Sequence, residues 1–343
     1  MKALHQAGYA VDLASRYICY SKNSDNEILQ ERKSGAIQEA KRLVEQYQCI
    51  DVKERPQIWI TYHPYCKAPD WIGPIVSNAL GIPYVTVEAA RTGQGGAEDL
   101  WASWREEAQR GIKQADLHLV FKPTDRAYLA ELLGDQARLI DIQPFMNVDT
   151  GEIAPQSLPP SWNRTTTFVT TGMMRKGKKD KNFFMLADIF SGLERQDWKL
   201  VIVGGGPEEA NIRAAFSKIE ASHLHWTGQV EHAEVLGWMK ACDAFVWPGW
   251  KEPIGMVYLE AQLMGLPVIA YKSMGVPLVV KDGLTGFLAP EENKASIRAA
   301  LEKTLDNKAL RQQMGVAAKK MVLEKHSIDA GSKQIKKALA IGL

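Results

Sequence analysis

At 343 residues, 45% of them hydrophobic, the chain has apolar material for more than one core, and its nearly neutral formal charge of +2 implies no bulk attraction to nucleic acid. Its four cysteines, Cys19, Cys49, Cys66 and Cys242, have no C-x-x-C spacing and read as small buried residues in a reducing compartment. No apolar run approaches the roughly 18 residues of a spanning helix and no signal peptide is visible. The expectation is a cytoplasmic protein, with peripheral contact at the inner face of the membrane left open.

Strand-like and helix-like runs alternate along the chain, the pattern of an α/β fold with parallel sheets. Residues 1–8 read as the last turns of a helix closed by a glycine, and 9–14 as the strand after it. A doubly wound domain ordinarily opens one strand and one Gly-rich turn earlier. The expectation is therefore that the chain begins inside a domain, at an internal methionine, lacking about 25–30 residues of a strand-loop-helix unit. Further strands are predicted at 57–61, 83–88, 117–121 and 137–140, with helices at 26–47, 71–80 and 125–133. From 147 to 164 the periodicity vanishes among Pro155, Pro159 and Pro160, which reads as a linker. Strands resume at 166–171, 199–203, 224–227, 244–247 and 268–271, and the chain is helical from Glu291. This divides it into a first domain over 1–155, a second over 165–325 and a closing helix over 326–343.

Three stretches of the second half carry chemistry. Val203-Gly204-Gly205-Gly206-Pro207 takes a buried strand through glycines toward a helix. Such a turn lets backbone approach a phosphate with the helix dipole behind it, and it serves equally as a tight turn with no ligand. A dinucleotide fingerprint would need glycine where Glu209 stands, which disfavours an NAD-type cofactor. Next, Arg175, Lys176, Lys178, Lys179 and Lys181 crowd together after the strand ending Thr170-Thr171-Gly172. They suit a pyrophosphate leaving group, forked guanidinium and compact ammonium together, although charge runs are also ordinary solvated loops. Finally, Glu252 lies in a Pro/Gly turn, and Glu260 follows inside an apolar helical pattern with Val257, Tyr258, Leu259 and Leu263. Gly255 and Met256 fall where a helix start offers free N–H groups to a phosphate. A carboxylate set among apolar residues, as Glu260 is, needs partners, and a ribose diol would supply them.

In the first half His63 follows the buried strand and precedes Pro64, where it fits either a cleft histidine able to hydrogen-bond a reacting sugar or a simple turn. Trp71, Trp101 and Trp104 suit sugar stacking, membrane contact or plain core packing. His223 and His225 have H-x-H spacing but no third ligand at a convincing distance in sequence, so no metal is expected. The G-x-S-x-G elbow, the P-loop and a D-x-D pair are all absent.

Taken together, these residues resemble the family-4 retaining glycosyltransferases, whose GT-B fold has two Rossmann-like, doubly wound parallel-sheet domains facing a cleft. The resemblance covers most of the chain and is strongest over 166–326. Its Glu-x7-Glu signature is matched by Glu252 and Glu260, flanked by Gly255, Gly265, Pro267 and Val268, and followed by Gly275-Val276-Pro277 and Asp282-Gly283-Leu284-Thr285-Gly286. It implies a nucleotide-sugar donor and a glycan, lipid or small-molecule acceptor, with neither metal nor cofactor and no nucleic acid. It implies that Arg175 and Lys181, with Lys179 as an alternative, stabilise the departing diphosphate. Glu252 and the backbone of Gly255, Met256 and Val257 would hold sugar and phosphate, and Glu260 the ribose. Gly204, Gly205 and Gly206 would line the nucleotide, and His63 would face the transferred sugar. No protein nucleophile is required, because the leaving phosphate assists same-face attack. Leu278, Ile254 and Gly249 depart from the family's usual Glu, aromatic and Ser, changes that bear on donor selectivity. The alternatives are a GT-B epimerase or hydrolase of nucleotide-sugars, and a truncated, inactive chain that binds nucleotide only.

Overall fold

The computed structural model describes residues 1–91, 99–162 and 165–343. The chain folds as two units: Met1–Gln143 with Gly331–Leu343, and Pro144–Ala330.

The first unit opens with α1 (Lys2–Gln6) and α2 (Asn26–Gln48). Asp25 caps α2 by accepting from the Glu27 N–H at 2.6 Å, and Leu29, Ala36, Ala40 and Leu43 form its buried stripe. Then come β1 (Trp59–Tyr62), α3 (Ile72–Leu80), β2 (Tyr84–Val87), α4 (Ala102–Ile112), β3 (Leu117–Val120), α5 (Pro123–Leu133) and β4 (Leu139–Asp141). The four strands are parallel and lie in chain order β1-β2-β3-β4. The expected strand at 9–14 is corrected: it pairs with no strand among the described residues. The chain beyond it is fastened to α2 instead, by Ser15 Oγ donating to Glu39 at 2.8 Å and Tyr17 Oη donating to the Arg32 carbonyl at 3.0 Å. Extended residues become a strand only when a ladder partner takes their N–H and C=O groups.

The second unit contains β5 (Thr166–Thr171), α6 (Lys178–Ser191), β6 (Trp198–Val203), α7 (Glu209–Ala215), β7 (Leu224–Gly228), α8 (His232–Ala241), β8 (Ala244–Val246), α9 (Met256–Leu263), β9 (Val268–Tyr271), α10 (Val276–Val279), β10 (Gly286–Ala289), α11 (Lys294–Asp306) and α12 (Lys308–Lys325). A final helix, α13 (Ile328–Gly342), returns the chain to the first unit. All six strands are parallel, in the order β10-β9-β8-β5-β6-β7. The chain enters mid-sheet at β5, winds outward to β7, then crosses back to β8 and winds the other way. That reversal is a topological switch point between β5 and β8, and in such sheets ligands bind beyond the strands' carboxyl ends at the switch.

Two details depart from expectation. The proline-rich stretch is not a free linker, for Trp162 is buried in the second unit's core, Ile153 and Leu158 pack on it, and Gln156 N donates to the Gly237 carbonyl at 3.1 Å. The unit boundary accordingly falls earlier, at Gln143/Pro144; residues 163–164 at the end of that stretch lie outside the described residues. Strand β10 was not anticipated, and Gly286 explains its tight seat: a Cβ there would lie 2.0 Å from the Val268 carbonyl oxygen.

Candidate functional site

The loop after β5 and the loop after β8 flank the switch point, and they hold the cationic run and the first signature glutamate. Gly177, at φ +115, starts α6, where Asp180 Oδ1 accepts from the N–H groups of Gly177 (3.0 Å) and Lys181 (2.6 Å). With that turn fixed, Lys179 Nζ reaches Glu252 Oε2 at 3.2 Å and lies 5.3 Å from the Trp247 ring centroid. Lys178 Nζ donates to the Lys251 carbonyl at 3.3 Å, and Lys181 and Lys251 lie over the Trp250 ring at 5.3 and 4.4 Å. Asn182 ties the two loops by backbone as well, donating to the Trp250 carbonyl at 3.3 Å and accepting from the Trp250 N–H at 2.8 Å. Arg175 is exposed, and its guanidinium makes no hydrogen bond or ion pair among the described residues.

The loop after β8 is shaped around Tyr258. This side chain is fully buried and donates to the Trp247 carbonyl at 3.2 Å; burial and the Glu252 charge push its pKa well up, so it stays a neutral donor. Gly249 (φ +68) and Gly255 (φ +78) crowd against it, and a Cβ on them would come within 2.0 and 2.3 Å of its side chain. Gly255 is the N-cap of α9 and no side chain caps it, so the first-turn N–H groups, those of Met256 and Val257, remain open for an anion. Glu260, on the same helix and only partly buried, has His232 Nε2 3.1 Å from its Oε1. Sequence reasoning did not single out His232, whose place at the start of α8 is set by the sheet.

Gly204 (φ +127) and Gly206 (φ +149) turn the chain after β6. A Cβ on Gly204 would sit 2.2 Å from the Gly172 carbonyl oxygen, and one on Gly206 would sit 2.5 Å from that of Met174. Met174 N donates to the Gly205 carbonyl at 2.9 Å, so this turn packs on the loop that leads to Arg175. These glycines have a packing reason to be glycine, independent of any ligand.

His63 belongs to the first unit. It follows β1 with φ +57, and Glu88 follows the neighbouring β2 with the same φ of +57. His63 Nδ1 lies 3.1 Å from the Glu88 carbonyl oxygen. The buried Glu88 carboxylate accepts from Tyr62 Oη at 2.7 Å and from Lys122 Nζ at 2.9 Å, and Lys122 also pairs with Asp125 at 2.9 Å. Burial raises the pKa of Asp125; Lys122 is pushed up as well, burial opposing but its two carboxylates prevailing. Nothing in the sequence marked Glu88 or Lys122.

The remaining candidates resolve into packing. Trp104 is fully buried, and Trp71 is buried with Nε1 donating to Glu107 at 2.8 Å. Trp101 packs edge-on against Trp104. His223 is buried with Nδ1 2.8 Å from the Trp198 carbonyl oxygen, and His225 packs edge-on against Trp162 and at a tilt against Trp238. Among the described residues no three His, Cys, Asp or Glu side chains group to hold a metal ion, and no helix is long and apolar enough to cross a membrane.

Residues 158–321 match the family model of glycosyl transferases group 1. Among curated proteins, the phosphatidyl-myo-inositol mannosyltransferase of Mycobacterium leprae is 30% identical over 223 residues, 64% of this chain and 56% of that protein. The chain thus spans little over half the length of that relative. Among solved structures, the lipopolysaccharide outer core galactosyltransferase WaaB superposes with a TM-score of 0.67 at 16% identity, covering 95% of this chain and 84% of that one. Anabaena HepE in complex with UDP superposes at 0.66 and 17% identity, covering 89% and 82%. The fold is GT-B: two parallel-sheet α/β domains of four and six strands.

Proposed function

We propose that this chain is a retaining glycosyltransferase that moves a sugar from a nucleotide-sugar donor to a glycan, lipid or small-molecule acceptor. The observation that carries the reading is the Lys179–Glu252 contact of 3.2 Å, which joins the cationic loop after β5 to the glutamate loop after β8 at the switch point of the second sheet. The match of residues 158–321 to glycosyl transferases group 1 supports it, as does the UDP bound by one fold relative.

In this reading the donor diphosphate lies between the start of α9 and the cations after β5. The open N–H groups of Met256 and Val257 and the charges of Arg175 and Lys181 stabilise negative charge as the glycosidic bond breaks. Glu252 holds the sugar hydroxyls, and Lys179 fixes its carboxylate. Glu260 accepts from the ribose diol, and Gly204, Gly205 and Gly206 line the nucleotide. The acceptor hydroxyl attacks the face the leaving group departs from and passes its proton to that leaving phosphate, so no protein nucleophile is needed. Neither a metal nor a further cofactor enters the scheme. The setting we propose is the cytoplasm, with lipid acceptors reached at the inner face of the membrane.

The test is calorimetric binding across UDP-, GDP- and ADP-sugars, followed by transfer to a mixed acceptor set with the product anomer read by NMR. One nucleotide-sugar should bind and yield product with the donor's anomeric configuration. Binding to none would overturn the reading, and an inverted product would overturn its retaining part. Sugar release or isomerisation without any acceptor would assign a hydrolase or epimerase instead.

A further inference from the structure

Each signature glutamate of the second unit is met by one side chain from another helix start at the sheet's carboxyl edge. Lys179, at the start of α6, reaches Glu252; His232, at the start of α8, reaches Glu260, its Nε2 3.1 Å from Oε1. The donor scheme above uses Glu260 but gives His232 no part.

The place of His232 is fixed from both sides. Gly228 ends β7 at φ +69, and its carbonyl accepts from Gly204 N at 3.0 Å, which ties the glycine turns after β6 and β7 together. Val230 packs on the core, and Glu231 N donates to Glu234 Oε2 at 3.3 Å where α8 begins. The side chains of His232 and Glu260 are 67% and 23% exposed. A contact this open to water adds little to stability. Its effect falls on the freedom of the carboxylate.

Glu260 stands in the second turn of α9, between the buried Leu259 and Ala261. A glutamate so placed has several side-chain torsions to fix before it can meet a vicinal diol. A carboxylate only accepts, so the ring nitrogen facing it carries the proton, and Nε2–H takes one lone pair of Oε1. The other lone pair of Oε1 and both of Oε2 are left for hydroxyl donors. Torsional entropy is then lost in the free protein rather than on binding, which is how preorganisation raises affinity.

We propose that His232 is the positioning residue of Glu260: by donating Nε2–H to Oε1 it sets the carboxylate for the ribose hydroxyls of the donor nucleotide, and so favours ribonucleotides over their 2′-deoxy counterparts. The inference rests on the transferase reading above and assigns a residue that reading leaves idle.

The experiment is calorimetric titration of the full chain with UDP, GDP and ADP, then with the 2′-deoxy counterpart of whichever binds. Wild type, His232→Ala, His232→Gln, Glu260→Ala and the His232→Ala/Glu260→Ala double variant are compared. His232→Ala should weaken the ribonucleotide about fivefold and the 2′-deoxynucleotide less, so that the preference for ribose shrinks. His232→Gln, whose side-chain amide can still donate, should recover most of that preference. In the Glu260→Ala background His232→Ala should change nothing further, because its effect passes through the carboxylate. A merely structural role would weaken both nucleotides alike and persist without Glu260. An unchanged ribose preference in His232→Ala, or the same loss with and without Glu260, would overturn the inference and leave the transferase reading standing. Failure of all three nucleotides to bind the wild type would remove that reading and this inference with it.

Discussion

Lys179 and Glu252 meet across two loops that follow non-sequential strands, their charged atoms 3.2 Å apart and their side chains 26% and 17% exposed. An ion pair this accessible contributes little to stability, at most about 1 kcal/mol. Its value lies in position, since it fixes a carboxylate over the switch point. Lys179→Ala should therefore leave the melting temperature almost unchanged and raise the KM for donor about tenfold through a misplaced Glu252. In the proposed donor site Glu252 holds the sugar hydroxyls, so Glu252→Gln should lower kcat further. The check is a comparison of kcat and KM in both variants and in the double variant, where the two losses should be less than additive.

The Arg175 guanidinium has no partner among the described residues, so truncating the side chain should be structurally silent. On a developing diphosphate, a preorganised cation is worth about 10²-fold in turnover. Arg175→Ala should cost that much in kcat with thermal stability unchanged. Arg175→Lys should recover part of the loss, since a point charge replaces the fork but does not reproduce its geometry. A wild-type rate in Arg175→Ala would remove this residue from the mechanism.

Among the described residues the Glu260 carboxylate has one polar partner, His232 Nε2 at 3.1 Å, and in the proposed site its remaining lone pairs accept from the ribose. Losing a bidentate contact to a ribose diol should weaken nucleoside diphosphate binding by about 10- to 100-fold in Glu260→Ala. A 2′-deoxynucleotide should show the same penalty with the wild type and a smaller one with the variant. Equal penalties in both chains would show that Glu260 does not read the ribose.

What the sequence disclosed and what it withheld follow one physical division. Strands β5 and β9 were legible because continuous runs such as Val268–Tyr271 need burial on both faces, and the Glu252/Glu260 pair because spacing along one helix is local. Residues 9–14 misled because strand propensity says nothing of whether a ladder partner exists. The prolines at 155, 159 and 160 suggested a linker, but Trp162 beside them packs into the core, which only tertiary structure reveals. Glu88 was invisible for the same reason: its left-handed backbone and its bond to Lys122, 34 residues on, are products of strand order.

Gly255 is held to its identity twice over, by a φ of +78 and by the buried Tyr258 ring, which a Cβ would approach to 2.3 Å. The ring cannot yield, since Tyr258 is fully buried and bonded to the Trp247 carbonyl. Gly255→Ala should cost about 2 kcal/mol or more. It should also displace the start of α9, so phosphate-dependent binding should fall further than stability alone explains. Urea unfolding of the second unit and nucleotide titration below the transition measure the two effects separately.

His118 lies on β3 beside Thr86 of β2, 1% exposed, with Nδ1 2.6 Å from Thr86 Oγ1, and burial pushes its pKa down to about 4. In the unfolded chain the same group titrates near its ordinary value of about 6.5. Between those values the unfolded state binds a proton that the native state does not, so stability rises with pH across the window and is lost as pH falls from about 6.5 toward 4. One such group accounts for up to about 3 kcal/mol at the acid end. His225 and His326 are pushed the same way by burial and add to the fall. Removing the titrating ring should therefore flatten only part of the profile: His118→Asn should be less stable than the wild type at pH 7 but lose less on acidification. Hydrogen-exchange protection of the β2 and β3 amides, followed from pH 7 to pH 4.5 in both chains, isolates the difference. Parallel profiles would show that His118 is protonated in the folded protein.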